Sequence, residues 1–202
     1  MESSEYRALH YRLFAHLFAG PPGDEFLGKL KEWPLGAEAY LPYSQNLAEG
    51  IGAMREHLHR EGTAEEVREE FNRLFYDLGG GQINPYASHY TEGLLFGKTL
   101  ARLRSLLRVA GLQRNEDFHE PEDHLAFLME TAAMLIDYGK EHEERECIRE
   151  YVFPWVGSLC NDIEAHSEAN FYRKAAQALR GFMEWEERKQ KVSDEAEPSE
   201  EE

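Results

Sequence analysis

Residues 121–138 read PEDHLAFLMETAAMLIDY, and this stretch shows most clearly how the chain folds. Its large apolar residues return every three or four positions, at Leu125, Leu128 and Leu135 among others, which is the spacing of one helix face. Pro121 stands where the first turn of a helix tolerates proline, because that turn has no amide bond to lose. The stretch therefore predicts an amphipathic α-helix that buries one side.

The same spacing extends along most of the chain. Thr63 stands three residues before Glu66, as in a capping box, and the glycines and prolines at 20–23 end the first segment. We find no alternating strand pattern and no internal repeat, so the predicted fold class is all-α, a globular helical bundle. The spacing predicts further helices at residues 6–18, 24–33, 47–58, 63–78, 100–110, 144–152, 154–165 and 168–190, with a loop at 79–92.

A polar stretch without helical spacing, Gln113 to Glu120, divides the chain. It predicts two unequal lobes joined by a hinge: an N-terminal helical lobe at 1–112, a connector at 113–122 and a C-terminal helical lobe at 123–191. The remaining residues, 192–202, carry six acids and no base, so we predict an acidic, disordered tail.

The charge balance restricts the kinds of partner. The 202 residues include 22 Lys and Arg against 39 Asp and Glu, a formal net charge of -17, while 42% are hydrophobic, enough for a sizeable core. Nucleic acids are disfavoured because phosphate contacts need Lys and Arg, and an anionic membrane surface would repel this chain. Cationic partners are favoured instead.

Cysteine use and the N-terminus indicate a compartment. Cys147 and Cys160 are too few for a disulfide scaffold and lack C-x-x-C spacing, which suits a reducing environment. The first residues, MESSE, are acidic where a signal peptide is basic, and no stretch offers the roughly 20 apolar residues of a membrane span. We therefore expect a soluble, cytoplasmic protein without stable membrane insertion.

The segment Gly93–Thr99, GLLFGKT, partly matches a phosphate-binding loop. That loop needs four residues between its glycines and a preceding strand, whereas this segment has three and follows no predicted strand. Its apolar residues fit the core face of a starting helix better. We therefore predict no nucleotide and no other cofactor.

A di-metal carboxylate bundle, as an oxidase or a metal store, is the main enzymatic alternative. Such sites place Glu-x-x-His pairs on facing helices. Two strings have this spacing, Glu56 with His59 and Glu116 with His119. The first string has arginines beside it, which indicates that its helix face is exposed to solvent. The second lies in the polar connector rather than on a helix. We therefore favour surface charge over a metal site, and no enzyme is predicted.

Two further segments are unusual for a plain helical bundle. The first joins Phe75 and Tyr76, at a helix end, to the charge-free PYASHY at residues 85–90. Tyrosine offers a large contact area with a polar tip, so this segment suits an apolar peptide. The alternative is that its aromatic rings pack onto the bundle, and the residues alone leave both open.

The second segment is EPEDHL at residues 120–125. Acids in a first helical turn complement the helix dipole, which accounts for Glu122 and Asp123 as capping residues. Capping does not account for His124, which Glu120 could orient from four positions earlier. Carboxylates at a hinge could also receive a guanidinium in bidentate fashion. Capping and binding both stay open at this point.

Together the two segments resemble the TorD/DmsD/NarJ family of redox-enzyme maturation chaperones. The family pattern is a Pro-aromatic-x-Ser-x-aromatic loop, here at 85–90, followed about thirty residues later by Glu-Pro-x-Asp-His, here at 120–124. Order, spacing and helical content match from about residue 5 to residue 186. Some members carry tryptophan where this chain has Tyr86 and Tyr90, which bears on the choice of client.

The resemblance implies a non-enzymatic, cytoplasmic chaperone with a dedicated client. Clients in this family are catalytic subunits of molybdenum oxidoreductases. The chaperone binds the client's N-terminal twin-arginine leader until the molybdopterin cofactor is inserted, before export. Some members exchange lobes across the connector, which implies a monomer or a lobe-swapped homodimer. Guanine-nucleotide binding is proposed for some members, but this sequence has no phosphate loop to support it.

The resemblance also assigns a peptide-binding role to particular residues. Asp123 and Glu120 would receive the arginines of the leader, and His124 would help to position them. The two prolines would fix the loop and the helix start, and the two segments would converge into one cleft. Aromatic rings and the hydroxyl of Ser88 would contact the rest of the leader. The rings are those of Phe75, Tyr76, Tyr86 and Tyr90, and the two prolines are Pro85 and Pro121.

A third hypothesis is a structural assembly subunit that docks a folded partner and reads no leader. Binding to a client without its leader would favour this hypothesis, because only the chaperone hypothesis predicts that such binding is lost.

Overall fold

The computed structural model describes residues 3–33, 42–60, 62–76, 82–113 and 120–196. These residues form α-helices and no β-strand, which confirms the predicted all-α class. None of the described helices combines the length and apolar character that crossing a bilayer requires. The helices are α1 (Ser3–Phe18), α2 (Asp24–Lys31), α3 (Gln45–Arg60), α4 (Ala64–Phe71, continued by a π-helical turn at Asn72–Tyr76), α5 (Ala87–Glu92), α6 (Lys98–Val109), α7 (Leu125–Asp137), α8 (Glu141–Tyr151), α9 (Phe153–Ala165) and α10 (Phe171–Ala196).

The core forms where two pairs of helices pack together. α1 lies along α7, and α3 lies along α10, which also contacts α9. In α7, Leu125, Leu128 and Leu135 are fully buried, as their spacing predicted. The prediction that Pro121 stands in the first turn of this helix was wrong. Pro121 lies in a preceding turn, where its carbonyl accepts a hydrogen bond from the amide of His124 at 3.0 Å, and α7 begins one residue later.

The parts of the chain on either side of the predicted connector share one core. α1 and α3 precede the connector, whereas α7 and α10 follow it, and their buried residues belong to a single hydrophobic cluster. Residues 114–119 of the connector, with Glu116 and His119, lie outside the described residues. The hinge and the division into two lobes therefore stay predictions.

The last helix extends further than predicted. It continues to Ala196, past Val192, where the acidic tail was predicted to begin. The Ser193 hydroxyl donates to the carbonyl of Lys189 at 3.1 Å, so the helical pattern of contacts continues, although Val192 is 66% exposed and adds no buried apolar residue to signal it. The predicted start of the tail was therefore wrong for its first five residues. The last six residues of the chain lie outside the described residues.

A short helix, α5, lies within the segment predicted as a loop at 79–92. Its six residues are too few to show a helical period in the sequence. Its first amides bond to Asp123, which is far away along the chain. The loop prediction was wrong here because a distant residue stabilises the start of this helix.

Two glycines let α3 and α10 approach each other closely. A Cβ atom added to Gly50 would lie 2.7 Å from the Cβ of Ala178, and one added to Gly181 would lie 2.2 Å from the backbone nitrogen of Leu47. Backbone and short side chains cannot move out of the way as the end of a flexible side chain can. The crossing therefore has no room for a larger residue.

We expect Gly181→Ala to destabilise the chain by about 1–3 kcal/mol, the usual cost of overpacking a core. Urea unfolding of the purified chain measures this. Gly157→Ala in α9 is the control, because no atom beyond its chain neighbours and the backbone of its own helix lies within 4 Å of the position its Cβ would take. The control should be neutral or slightly stabilising, since alanine favours helix interiors. Equal stability of the two variants would contradict the close crossing.

A buried ion cluster ties α1 to α8 and α10. Two guanidinium nitrogens of Arg7 lie 2.7 and 2.6 Å from the carboxylate of Glu186, and Arg7 also bonds to Glu144. The Tyr11 hydroxyl donates to Glu186 at 3.1 Å. Burial, the largest single influence, opposes the charge on Arg7, but the bond to Glu186 and the charges of Glu186 and Glu144 together outweigh it, so the pKa of Arg7 is raised. Burial raises the pKa of Glu144, and the charge of Arg7 offsets part of that rise.

Candidate functional site

The two unusual sequence segments lie side by side. The amide of Ala87 donates to the carbonyl of Asp123 at 2.9 Å, and the amide of Leu125 donates to the carbonyl of Pro85 at 2.8 Å. These two bonds form an isolated antiparallel bridge that pairs Tyr86 with His124. The expected convergence of residues 85–90 with residues 120–124 is therefore confirmed.

Asp123 holds the start of α5 from across this bridge. Its carboxylate accepts the amide of Ser88 at 3.0 Å, next to the Ala87 amide that bonds to its carbonyl. The residue is only 1% exposed, so its charge faces the interior. This geometry shows a structural contact for Asp123, because α5 uses the carboxylate as a cap, and the expectation that Asp123 receives a guanidinium directly stays a prediction.

His124 is the N-cap of α7. Its Nδ1 accepts the amide of Ala126 at 3.1 Å, and its ring meets that of Tyr86 edge to face, with centroids 5.0 Å apart. Burial lowers the pKa of His124 to about 4, so the ring is neutral near pH 7. Its observed contacts are those of a capping and packing residue. The sequence left capping and binding open, and the structure assigns capping to this residue.

Three neighbouring side chains at the junction are partly or largely exposed to solvent. The half-buried Tyr86 donates its hydroxyl to Glu120 at 2.6 Å, and Tyr76 is 49% exposed. Burial and the bond to Glu120 raise the pKa of Tyr86, while burial and the charge of Glu120 raise the pKa of Tyr76. We call Tyr76, Tyr86 and Glu120 the tyrosine–glutamate cluster. It offers aromatic surface and negative charge together.

The other predicted aromatic residues face the bundle. Tyr90 stacks on Trp155 with ring centroids 5.5 Å apart, and its hydroxyl donates to Asp162 at 2.7 Å. Phe75 is buried and packs against other core rings, which favours packing onto the bundle over the predicted contact with a peptide. The hydroxyl of Ser88 is also buried, without a hydrogen-bond partner. For these residues the alternative of packing onto the bundle holds.

An apolar groove begins beside the bridge. It has a volume of about 660 Å³ and lies between the turn that follows α1 and one side of α7. Ala19 and Phe26 contribute to one wall, and Ala126, Phe127 and Met134 of α7 contribute to the other. No expectation from the sequence included this groove. The sequence does contain one sign of the groove: the Gly-Pro-Pro-Gly turn at residues 20–23, which follows α1, lines it.

The Gly93–Thr99 segment does not offer its helix start to a phosphate. The carboxylate of Glu92 accepts the amides of Lys98 and Thr99, at 2.9 and 2.6 Å. A negative side chain therefore lies where a phosphate-binding loop would place the phosphate.

The described residues give no support to a di-metal site. Among them, no group of three or more His, Cys, Asp and Glu side chains is arranged to hold a metal ion. Glu56 pairs with Arg60 one turn later at 2.8 Å and faces solvent, and His59 is exposed. The second string, Glu116 with His119, lies outside the described residues.

Comparison with known proteins points to one class. The family described as "Nitrate reductase delta subunit" matches residues 42–161. The Tat proofreading chaperone DmsD of Salmonella typhi is 30% identical over 151 residues, which are 74% of this chain and 68% of the relative. The chaperone protein TorD of Vibrio vulnificus is 26% identical over 202 residues, with 89% of this chain and 92% of the relative covered.

A solved structure agrees with these relatives. The crystal structure of an Archaeoglobus fulgidus protein assigned to redox enzyme maturation superposes with a TM-score of 0.61 and 25% identity, over 88% of this chain and 93% of that one. The helical bundle and the joined motifs thus define a redox-enzyme maturation chaperone. The chain belongs to the nitrate reductase delta subunit family, the TorD/DmsD/NarJ family that its motifs resemble.

Proposed function

We propose that this chain is a chaperone, rather than an enzyme, for the catalytic subunit of a molybdenum oxidoreductase. It binds the client's N-terminal twin-arginine leader and holds it while the molybdopterin cofactor, which belongs to the client, is inserted before export. It acts in the cytoplasm, as a monomer or a lobe-swapped homodimer, without a cofactor of its own. The family and the roles in its relatives' names, chaperone and Tat proofreading chaperone, support this proposal.

One observation carries the proposal: the apolar groove extends along α7 from its first turn, and the bridge beside which Tyr86 meets Glu120 directly precedes that turn. A twin-arginine leader combines a cationic pair with an apolar stretch. The groove takes the apolar stretch, and Glu120 takes a guanidinium, because an exposed edge of a carboxylate can accept a guanidinium in bidentate fashion. The net charge of -17 speeds the encounter with a cationic peptide.

The buried members of the two motifs act on the leader indirectly. Asp123 and His124 fix the bridge and the starts of α5 and α7, and so hold Tyr86 beside Glu120. Pro85 contributes its carbonyl to the same bridge. Their role in this proposal is to position the surface rather than to touch the peptide.

Calorimetric titration with a synthetic leader peptide that contains the two arginines and the apolar stretch tests the site. We expect Glu120→Gln to weaken binding about tenfold, since one charge-assisted bond is lost. Ala19→Gln places a polar side chain in the apolar groove and should weaken binding about as much. A peptide with glutamines in place of its arginines should bind Glu120→Gln and the parent chain alike.

The control variant is Glu150→Gln, which removes the same charge from an exposed position of α8. It should bind within about twofold of the parent chain, because an exposed distant charge is screened. If Glu120→Gln and Ala19→Gln both bind like this control, the leader binds elsewhere on the chain. If the parent chain does not bind the leader at all, the chaperone proposal itself is wrong.

A further inference from the structure

A second surface of the described chain has an unusual composition. The loop between α5 and α6 exposes three consecutive large apolar residues: Leu94, Leu95 and Phe96 are 53%, 40% and 70% exposed. Single exposed apolar residues are ordinary, but adjacent ones form a patch that indicates an interaction. The loop follows the C-terminal end of α5, whereas Tyr86 caps the N-terminal end, so this patch is distinct from the leader site.

The loop is fixed at its base and strained at its tip. The carboxylate of Glu92 accepts the amides of Lys98 and Thr99 and so closes the loop. Phe96 has a φ of 60°, in the left-handed region that bulky residues avoid. A glycine would suit this backbone better. An exposed phenylalanine in a strained position indicates that the side chain itself has a function.

The helix that follows the loop is basic, although the whole chain is strongly acidic. α6 contains Lys98, Arg102, Arg104 and Arg108 and no acidic residue. Arg104 pairs with Glu122 at 2.8 Å. The other three are exposed, and none forms an ion pair with a carboxylate of the described residues. α6 therefore presents unpaired positive charge beside the apolar patch.

We propose that residues 94–96 and the basic side of α6 form a reversible docking surface for an anionic lipid bilayer. The apolar side chains enter the boundary between head groups and acyl chains, while Lys98 and Arg102 extend their long side chains to lipid phosphates. An apolar and a cationic signal together are what attachment to such a surface requires. The leader does not fit this surface, because α6 repels its arginines.

The net charge of -17 is compatible with this contact. Charges beyond a Debye length of about 8–10 Å are largely screened, so a bilayer at the loop responds mainly to α6. The acidic residues near this surface include Glu92, Glu146 and Glu150. Glu92 is bonded to the amides at the base of the loop, and Glu146 and Glu150 of α8 line a cavity together with Arg102. Any other orientation would bring acidic faces within a Debye length of the bilayer, which favours the orientation with α6 towards the lipid.

Co-sedimentation of the full chain with vesicles tests this proposal. We expect binding to vesicles of phosphatidylcholine and phosphatidylglycerol in equal parts, weaker binding at higher salt, and little binding to phosphatidylcholine alone. The double variants Leu94→Ser/Phe96→Ser and Lys98→Gln/Arg102→Gln should each bind about tenfold more weakly. Phe96→Gly should bind more weakly yet unfold at the same temperature or higher, because it relieves the strain.

Matched controls separate this surface from exposed residues in general. Val192→Ser removes an apolar side chain that is 66% exposed, and Lys29→Gln/Lys191→Gln removes two exposed charges. Both should bind vesicles like the parent chain, and all variants should bind the leader normally, so the two proposals fail separately. Absence of vesicle binding by the parent chain, or equal binding by loop variants and controls, overturns the lipid surface. The lipid surface is also overturned if the parent chain does not bind vesicles but a loop variant blocks maturation of the client, because the loop then docks a protein.

Discussion

Replacing Arg7 with methionine is expected to destabilise the chain by about 3–5 kcal/mol, the usual cost of removing one partner from a buried ion cluster. Arg7 is bonded to both Glu144 and Glu186, and all three side chains are buried. Methionine is also long and flexible but leaves two buried carboxylates without a counter-charge. Because the cluster joins three helices, urea unfolding followed by circular dichroism should show a much lower midpoint.

The pH dependence of this loss identifies its cause. Burial already raises the pKa of Glu144, and the charge of Arg7 opposes part of that rise. Without Arg7 the pKa rises further, so the folded variant holds a proton that the unfolded chain releases. A folded state that binds more protons gains stability as the pH falls. The deficit of Arg7→Met relative to the parent chain should therefore be largest at neutral pH and shrink towards the ordinary carboxyl range.

A triple variant, Arg7→Met/Glu144→Leu/Glu186→Leu, is the matched control. Replacing a whole buried ion cluster with apolar residues is often neutral or stabilising, so this variant should recover most of the lost stability. If Arg7→Met is as stable as the parent chain, or is destabilised equally at every pH, these residues do not form a buried charged cluster.

Most of the fold could be predicted because each long helix buries one face. The spacing of Leu125, Leu128 and Leu135 reports that face directly, and all three are buried in α7. The ion cluster gave no such signal. Arg7 is 137 residues from Glu144, and a charged residue in an amphipathic helix is assigned to solvent unless a partner is known.

The position of the candidate site could also be predicted, but not the roles of its residues. The resemblance to the family implied that residues 85–90 meet residues 120–124, and the backbone bridge joins them. Which side chains face a ligand depends on burial, and burial here depends on the packing of α5 against α9, which local sequence does not report. Asp123 is therefore internal, although its motif suggested a surface charge. The apolar groove was missed because its walls come from separate segments.

Asp123→Ala should have the largest effect of any change at the site. The amide of Ser88 would lose its carboxylate acceptor and stay buried, which costs about 2–3 kcal/mol when the lost partner is charged. The start of α5 would loosen, and with it the bridge that holds Tyr86 beside Glu120. We therefore expect both a lower unfolding midpoint and leader binding at least about tenfold weaker, through loss of preorganisation.

Asp123→Asn distinguishes this structural role from direct contact with the leader. Asparagine keeps an oxygen for the amide of Ser88 but removes the negative charge. If Asp123 only holds the loop, Asp123→Asn should retain most of the stability and leader affinity that Asp123→Ala loses. A direct contact predicts the opposite pattern: Asp123→Asn would fold stably and still lose affinity, because an amide cannot replace a carboxylate opposite a guanidinium. That second pattern would show that the bound chain exposes a carboxylate which the free chain keeps buried.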